Sequence, residues 1–248
     1  MNPSRLFALT LLIVASFTAP CARGADTESA PEHRDVNATR PQVWPGGIIP
    51  YDISKLNATQ QVLAKKAMQR WMDTGAKITF VPRTNETAYI HFTGRTDAGN
   101  NTSHTGYLPG QRTDINITAF WWRDNEWMPT HELGHALGFS HEHQRWDRDQ
   151  YVTIHYENIK AGREHDYDWE ARTNWLVTTL PYDYKSIMHY RVCWASKCED
   201  ECHDGVGDSP CAVIQPRDKK YDSVIGQWTD NGLSQLDAEK ARLAYGTK

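Results

Sequence analysis

Three histidines lie within residues 131–141 at a spacing that suits a single metal ion. On a helix, His131 and His135 are one turn apart on the same face, so both imidazoles can reach one ion. Gly138 can adopt a positive φ, which lets the chain leave the helix and bring His141 back as a third nitrogen ligand. Three neutral imidazoles suit Zn²⁺ and leave one coordination position open for water. Glu132, beside the first histidine, is then placed to accept a proton from the attacking water.

Two less specific interpretations of these histidines have to be weighed. Pairs of histidines four residues apart occur by chance on ordinary helices, where solvent surrounds them. The pattern His-Glu-x-x-His-x-x-Gly-x-x-His fixes five positions, which makes a chance match rare. A structural zinc site usually closes all four coordination positions, often with Cys, and no Cys lies near this segment. The pattern therefore predicts a catalytic site with one Zn²⁺ per chain.

The overall composition allows a sizeable core and gives no sign of nucleic-acid binding. The chain has 248 residues, of which 39% are hydrophobic and 10 are Trp, enough for one domain or for two lobes that share a cleft. The formal net charge is −4, and it becomes about −6 if Arg5 and Arg23 leave with an N-terminal segment. We therefore expect no nucleic-acid partner, while the oligomeric state stays open.

Residues 1–24 have the features of a secretory signal peptide. Arg5 supplies a positive start, residues 6–17 form an apolar run, and small residues stand at positions 22 and 24. The run is about 12 residues long, too short to span a bilayer. A lipid anchor on Cys21 is disfavoured because a proline precedes it where a small residue is expected. We predict a secreted, extracellular protein without a membrane span.

The cysteine count agrees with export. Of the five Cys, one would leave with the signal peptide, and the remaining four lie together in the second half of the chain. An even number in an exported chain predicts two disulfides, with three possible pairings. A second zinc site that includes His203 is the alternative, although the spacing lacks paired Cys-x-x-Cys knuckles. The four residues are Cys193, Cys198, Cys202 and Cys211.

Hydrophobic periodicity predicts the elements that must position these groups. Residues 25–40 are polar and aperiodic, and we interpret them as a short pro-segment or a disordered stretch. The metal-binding helix is expected to begin near Pro129, with Thr130 as its cap. Further helices are predicted over residues 56–74, where Gly75 ends the helix, and over residues 233–245, where Ser234 caps it. A turn followed by a short strand is predicted within residues 44–51. Other strands are predicted over residues 77–81, 88–92 and 114–120.

These elements predict an α+β fold of two lobes with the metal between them. The N-terminal lobe, about residues 41–138, would hold a small mixed sheet with helices on one side. The C-terminal lobe, about residues 139–248, would consist mainly of loops and close with the final helix. Residues 41–248 would together form one domain.

A second informative stretch, residues 182–190, arrives about 45 residues after the third histidine. Together with the histidine pattern it resembles the metzincin zinc proteases, which carry a methionine-containing turn, the Met-turn, at this point. Met188 would form a soft apolar floor beneath the metal and help to hold the imidazoles in place. Taken alone, Met188 would be an ordinary core residue.

The chain is similar, more narrowly, to the astacin family of zinc endopeptidases. The similarity lies in the zinc motif extended by Glu142-His-Gln-Arg-Trp-Asp-Arg-Asp149 and in Ser186-Ile-Met-His-Tyr190. Weaker similarity at Trp44-Pro-Gly-Gly-Ile-Ile-Pro-Tyr51 and in the closing helix extends it over about residues 40–246. The resemblance implies a two-lobed metzincin fold, one Zn²⁺, and cleavage of internal peptide bonds in proteins.

The resemblance also implies a role for each matching position. His131, His135 and His141 match the family's zinc ligands, and Glu132 matches its general base. Tyr190 matches a tyrosine that binds zinc in the resting enzyme and swings away to stabilise the transition state. A neutral phenol suits that role because it can donate a hydrogen bond to a developing oxyanion. The alternative for Tyr190 is a buried aromatic of the second lobe.

Glu142 matches an acidic residue that, in the family, meets the newly formed N-terminus of the processed enzyme. That role would require trimming of the chain near residues 34–40. The alternative is a local salt bridge with Arg145 or Arg148.

The chain departs from the family pattern in its cysteines and its pro-segment. The family's usual pair of disulfides places Cys in the first lobe and at the end of the last helix, where this chain has none. The pro-segment is very short, and Asp26 is only a weak match to the family's inhibitory aspartate motif. How the enzyme would be kept latent is therefore open.

The predicted activity is a secreted endopeptidase whose protein or peptide substrate lies extended across the cleft. Glu132 would take the proton of the attacking water and pass it to the leaving amine. The substrate would pair with the edge strand Asp114–Phe120 through main-chain hydrogen bonds. One alternative is a catalytically silent secreted binding protein, against which Glu132 counts because a scaffold needs no base. The other is a zinc amidase acting on cell-wall or small amide substrates, which the Met-turn disfavours.

Overall fold

The computed structural model describes residues 40–95, 97, 101–122, 127–203, 209–226 and 232–248; the predicted signal peptide (1–24) and residues 25–39 of the predicted pro-segment lie outside these described residues. The α-helices in the described part are α1 (Ala58–Met72), α2 (Trp127–Ala136) and α3 (Gln235–Tyr245). The strands there are β1 (Ile48–Asp52), β2 (Thr79–Pro82), β3 (Tyr89–Phe92), β4 (Arg112–Ile115), β5 (Val152–Ile154) and β6 (Ile214–Pro216). Short 3-10 helices run over Pro45–Gly47, Ala119–Trp122, Glu142–Gln144, Arg148–Gln150, Tyr156–Asn158, Glu164–Tyr167, Arg172–Asn174, Glu199–Glu201 and Lys219–Tyr221.

Strands β1 to β4 form one sheet in the order β2-β1-β3-β4, and each neighbouring pair is parallel. Parallel strands are usually buried on both faces and therefore apolar, and Ile49, Ile90 and Ile115 are almost completely buried here. The antiparallel part of the predicted mixed sheet is a bridge between Thr102 and Asn116, directly after β4. β4 therefore lies at one edge of the sheet. Asn116, the residue that follows it, pairs with Thr102 on the outer side.

Helix α1 connects β1 to β2 and packs against α2. Its N-terminus is closed by a capping box in which the side chains of Asn57 and Gln60 each accept a hydrogen bond from the other residue's backbone N–H. Near its C-terminus, the indole N–H of Trp71 donates to the carbonyl oxygen of Thr130 at 2.9 Å. Gly75, with a positive φ, follows the helix as predicted. This helix thereby ties the sheet to the helix that carries the zinc motif.

Helix α2 begins earlier than the sequence analysis predicted. It starts at Trp127, so Thr130 is not the N-cap but lies inside the helix, where it is fully buried. Pro129 stands in the first turn, where the N–H that proline lacks has no partner within a helix anyway. Pro129 and Thr130 therefore lie in the first turn of α2, two and three residues after its first residue.

Most of the buried hydrophobic residues described after the zinc motif gather in a second hydrophobic cluster. Strands β5 and β6 pair antiparallel, and Val152, Val213 and Ile225 are completely buried in this cluster. The sequence predicted no strands here, because segments of three residues are too short to show an alternation of apolar and polar side chains. The 3-10 helices and turns between them agree with the predicted loop-rich character.

Helix α3 closes the chain where it was predicted, with Ser234 and Asp237 forming its capping box. It follows the second cluster in sequence but packs on the first. Ala241 is fully buried there, and the hydroxyl of Tyr245 donates to the carbonyl oxygen of Leu137 at 2.8 Å. The last helix thus returns to support the C-terminal end of α2.

Two further expectations concern the organisation of the whole chain. The division into lobes at residues 41–138 and 139–248 stays a prediction, and the packing of α3 shows that hydrophobic clusters do not follow it strictly. Among the described residues, no helix combines the length and the apolar character that a membrane crossing requires.

Candidate metal centre

Helix α2 and the turn after it bring the three histidines together. His131 and His135 lie on α2 one turn apart, as the spacing predicted. Gly138 has a φ of +98°, and its N–H donates to the carbonyl oxygen of His135 at 2.7 Å, which ends the helix in a tight turn. A side chain at this position would also strike Leu176. Glycine is therefore required for the reversal that returns His141 to the other two.

The distances between the imidazoles suit one zinc ion. The Nε2 atom of His141 lies 3.1 Å from that of His135 and 3.3 Å from that of His131. A tetrahedral zinc ion with Zn–N bonds of about 2.0–2.1 Å separates its ligand nitrogens by about 3.3 Å. Among the described residues, these three form the group of His, Cys, Asp or Glu side chains that could hold a metal.

The hydrogen bonds of the other ring nitrogens direct the lone pairs toward the same point. The Nδ1 atoms of His131 and His135 lie 2.7 and 2.9 Å from the carbonyl oxygens of Ile187 and Phe139. Each of those contacts places the proton on Nδ1, and this leaves Nε2 as an acceptor. Nδ1 of His141 likewise lies 2.9 Å from the side-chain oxygen of Gln144. Three lone pairs that face one another repel unless a cation lies between them, so the donor set fits a metal.

Burial keeps these imidazoles neutral. Desolvation lowers the pKa of His131 to about 4, against a weaker opposing effect of its hydrogen bond to Ile187. Desolvation is also the largest cause that lowers the pKa values of His135 and His141 well below the usual value. Metal ligation requires the unprotonated ring, so the site is preorganised for it near neutral pH.

Glu132 is buried beside the histidines, and one of its carboxylate oxygens has no hydrogen-bond partner among the described residues. Its side chain is 3% exposed, and the oxygen without a partner is Oε2. Burial raises the pKa of this carboxyl to about 8. A divalent cation held by the adjacent histidines would lower that pKa again, because an opposite charge favours the carboxylate. An unpaired buried carboxylate oxygen is available to a reactant.

Met188 lies directly beneath α2. It is completely buried, and a Cβ atom added to Gly134 would come within 2.5 Å of its sulfur. Its carbonyl oxygen accepts a hydrogen bond from the N–H of Glu142 at 2.9 Å. The neighbouring Ile187 supplies the carbonyl that orients His131. The turn that carries Met188 therefore packs against α2 at Gly134 and also orients the ring of His131.

Tyr190 is brought to the rim of the metal site. Its ring centroid lies 4.5 Å from that of His141 and 4.0 Å from that of His143, on which it stacks. The side chain lines the cleft together with the three histidines and Glu132. Burial raises its pKa, so the phenol is neutral and can donate a hydrogen bond. The structure thus places Tyr190 at the site, although it also packs against the second cluster.

Glu142, directly after the third histidine, is fully enclosed by donors from this chain. Its carboxylate lies 2.8 Å from Nζ of Lys240 and 3.0 Å from Nη1 of Arg145. Burial alone would raise the pKa of Glu142, but these two cations bring it below the usual value. Arg148, the other partner considered, pairs with Asp149 instead. Lys240 was not identified from the sequence, because it stands 98 residues away on another helix.

The four cysteines form two disulfides among themselves. Cys193 is bonded to Cys202, and Cys198 is bonded to Cys211. Both thiols of each pair are consumed, so the alternative of a second zinc site helped by His203 is wrong. The two bonds close loops within the second cluster.

The cleft in front of the histidines has a volume of about 400 Å³. One wall consists of residues 101–105, and Arg163, Asp166 and Glu170 contribute polar groups elsewhere. The predicted substrate-pairing strand over residues 114–120 is wrong in its bounds, since β4 ends at Ile115 and residues 119–122 form a 3-10 helix. Thr102 exchanges both main-chain hydrogen bonds with Asn116 and so extends the sheet by one residue, while Asn101, Ser103 and Thr105 line the cleft beside it.

Comparisons with known proteins agree with this geometry. A sequence profile of the peptidase family described as Astacin matches residues 36–246. Tolloid-like protein 2 of Mus musculus is 41% identical over 226 residues, which are 90% of this chain and 20% of that protein. Nematocyst expressed protein 6 of Nematostella vectensis is 37% identical over 208 residues, covering 82% of this chain and 65% of that protein. This chain thus spans about a fifth of the tolloid-like relatives it matches.

Among solved structures, the hatching enzyme zinc-protease High choriolytic enzyme 1 of Oryzias latipes has a similar fold. The TM-score is 0.68 at 28% sequence identity, and the match covers 89% of this chain and all of the other. The metzincin α+β fold expected from the sequence is thereby confirmed. Together with the profile match over most of its length and the histidine cluster, this shows that the chain belongs to the astacin family of zinc metalloendopeptidases.

Proposed function

We propose that this chain is a secreted endopeptidase that hydrolyses internal peptide bonds of protein substrates bound in an extended conformation. The observation that carries the proposal is the convergence of three Nε2 lone pairs beside an unpaired carboxylate oxygen of Glu132. Such an arrangement serves hydrolysis better than structural metal binding, because a closed structural site needs no adjacent base.

His131, His135 and His141 would hold the zinc ion through Nε2. Their Nδ1 hydrogen bonds fix the orientation of each ring, so little rearrangement is needed on binding. When bound, zinc supplies Lewis-acid polarisation of the substrate carbonyl and makes a water molecule more acidic.

Glu132 would act as the general base and then as the general acid. Its unpaired oxygen would accept the proton of the attacking water. It would then deliver that proton to the nitrogen of the leaving amine, so the carboxylate is regenerated at the end of the cycle. Burial raises the pKa of this carboxyl and the bound cation would lower it, so the two effects oppose each other in the loaded site.

Tyr190 would donate a hydrogen bond from its phenol to the oxyanion that forms on the scissile carbonyl. Its position beside His141 and its neutral state support this role. On the family resemblance, we also propose Tyr190 as an additional zinc ligand before substrate enters. Stacking on His143 gives the ring a fixed plane from which the hydroxyl can act.

The substrate backbone would run along residues 101–105. This segment is already paired with the sheet at Thr102, and it forms a wall of the cleft that contains the histidines. An extended peptide laid against such an edge gains main-chain hydrogen bonds independent of its side chains. The segment replaces residues 114–120 as the proposed pairing edge.

Export of the protein is supported by its two disulfides, which persist in oxidising compartments. We propose that residues 1–24 are the signal peptide and that residues 41–248 are the peptidase domain. Cys193–Cys202 and Cys198–Cys211 would then form during or after secretion.

The test is hydrolysis of casein and of an internally quenched peptide by the purified secreted protein. We expect turnover that a chelator abolishes and that added Zn²⁺ restores. Digestion of peptidoglycan without cleavage of casein would instead indicate the amidase. Stoichiometric zinc with no hydrolysis of either substrate would indicate the silent binding protein.

A further inference from the structure

A buried ion cluster lies behind the metal centre and outside the residues that line the cleft. It consists of Glu142, Arg145, Asp183, Asp237 and Lys240, all between 0% and 5% exposed. Transfer of charged groups from water into a protein interior costs several kcal/mol per ion unless partners compensate. The partners that compensate the burial of these five charged side chains therefore have to be identified.

Every hydrogen bond that reaches Glu142 comes from within the described chain. One carboxylate oxygen accepts from Nη1 of Arg145 and from the N–H of Asp183, both at 3.0 Å. The other accepts from Nζ of Lys240 at 2.8 Å. Arg145 also forms an ion pair with Asp147. Lys240 is the cation on α3 that pairs with Glu142.

Two connections run from α3 to the histidines. In the first, Lys240 holds Glu142, the residue that follows His141 directly. In the second, Asp237 accepts a hydrogen bond from the N–H of Ile187 at 2.8 Å, and the carbonyl of Ile187 orients His131. One helix at the end of the chain thereby contacts the segments that position two of the three imidazoles.

We propose that Lys240 is a positioning residue of the metal centre. Its ammonium group supplies the counter-charge of Glu142 from inside the fold and holds the segment that carries His141. The inference rests on the proposed zinc site, and it adds that α3 holds the segment that carries His141.

The first experiment replaces Lys240 with an uncharged side chain of similar length. In Lys240→Met we expect the zinc dissociation constant to rise tenfold or more, and the visible absorption bands of the Co²⁺-substituted protein to shift. The value of kcat should fall at least tenfold while KM stays within twofold. Lys220→Met, which removes a lysine from an exposed ion pair with Asp218, is the matched control and should leave all four quantities unchanged.

A double variant separates positioning from stability. Glu142→Gln combined with Lys240→Met removes the carboxylate that Lys240→Met alone leaves without this cation. It should therefore recover part of the thermal stability that Lys240→Met loses; the remainder reflects Asp237, which also loses Lys240 as its cation. If Lys240 positions the site, the altered Co²⁺ spectrum and the low kcat persist in this stable variant. Recovery of the wild-type spectrum, zinc affinity and kcat in the double variant would overturn the proposal. If Lys240→Met alone does not fold, the double variant provides the test.

Because zinc affinity and the Co²⁺ spectrum do not depend on turnover, an inactive protein that still responds to Lys240→Met would refute only the proposed peptidase activity.

Discussion

Glu132 occupies an environment that carboxylates seldom occupy without a partner. A buried acceptor left without a hydrogen bond costs about 1–3 kcal/mol, and more when it is charged. The fold tolerates this cost at Oε2 of Glu132, beside three imidazoles whose lone pairs converge. Unpaired polar atoms at such places are typical of groups that must remain available to a reactant.

Replacement of Glu132 by Gln should preserve the fold and the zinc content but remove proton transfer. We expect kcat to fall by about 10²–10⁴-fold, the range that general acid–base catalysis contributes. Zinc content by atomic absorption and peptide turnover would be measured together. Glu157→Gln, an exposed residue outside the cleft lining, is the control for loss of a carboxylate. Undiminished turnover in a zinc-loaded Glu132→Gln protein would contradict the base role.

Tyr190→Phe retains the ring that stacks on His143 and removes only the hydroxyl. If the phenol stabilises the oxyanion, kcat should fall by about 10²–10³-fold, the usual loss for one such donor, while KM changes little. Tyr184→Phe is a suitable control, since it removes a hydroxyl that donates to the carbonyl of Tyr151 in the second cluster. A similar loss in both variants would indicate a structural effect and refute the assigned role.

At the scale of elements, α2 is positioned from three sides. The indole of Trp71 on α1 donates to Thr130, the hydroxyl of Tyr245 on α3 donates to Leu137, and Met188 packs against Gly134 from below. The helix itself is only ten residues long. Isolated helices of that length are marginal in water, so these tertiary contacts supply most of its stability.

Gly134→Ala tests the contact between α2 and the Met-turn. Alanine favours a helix over glycine by about 1 kcal/mol, yet its Cβ would lie 2.5 Å from the sulfur of Met188. We expect the clash to dominate and the free energy of unfolding to fall by about 1–3 kcal/mol. Urea denaturation would measure this in Gly134→Ala, Met188→Ala and the double variant. The cost of Gly134→Ala should shrink when residue 188 is alanine, and strict additivity would contradict the packing argument.

At the scale of the whole molecule, the metal site joins two hydrophobic clusters. The first contains α2 and Met188, whereas Tyr190 packs with the second. The cleft therefore lies where α2, packed in the first cluster, meets Tyr190, which packs against the second. The disulfides lie only in the second, where short strands and 3-10 helices leave less regular backbone hydrogen bonding.

Removal of one disulfide should destabilise the protein without altering the metal centre. Cys198→Ser combined with Cys211→Ser frees a loop between residues 13 apart in sequence. Loop-closure entropy gives an expected loss of about 3 kcal/mol. Thermal unfolding would report the loss, and zinc affinity at a temperature below the transition should be unchanged. A changed zinc affinity would show that the second cluster shapes the site more directly than we infer.

The order of residues by itself determined the parts of this protein that depend on local spacing. The interval between His131 and His135, the positive φ at Gly138, the stop of α1 at Gly75 and the cap of α3 at Ser234 all follow from the geometry of one helix or one turn. These features involve residues a few positions apart, where helical periodicity and backbone sterics are sufficient. The family resemblance then supplied the expectation of the fold.

The tertiary structure decided every feature that depends on residues distant in the chain. It selected one of three disulfide pairings, paired Thr102 with Asn116 beside the cleft, and joined Lys240 to Glu142. It also placed the start of α2 at Trp127, where packing outweighed the local signal of Pro129 and Thr130. Such contacts are set by how the elements pack together, and no local pattern encodes which distant partner a side chain will meet.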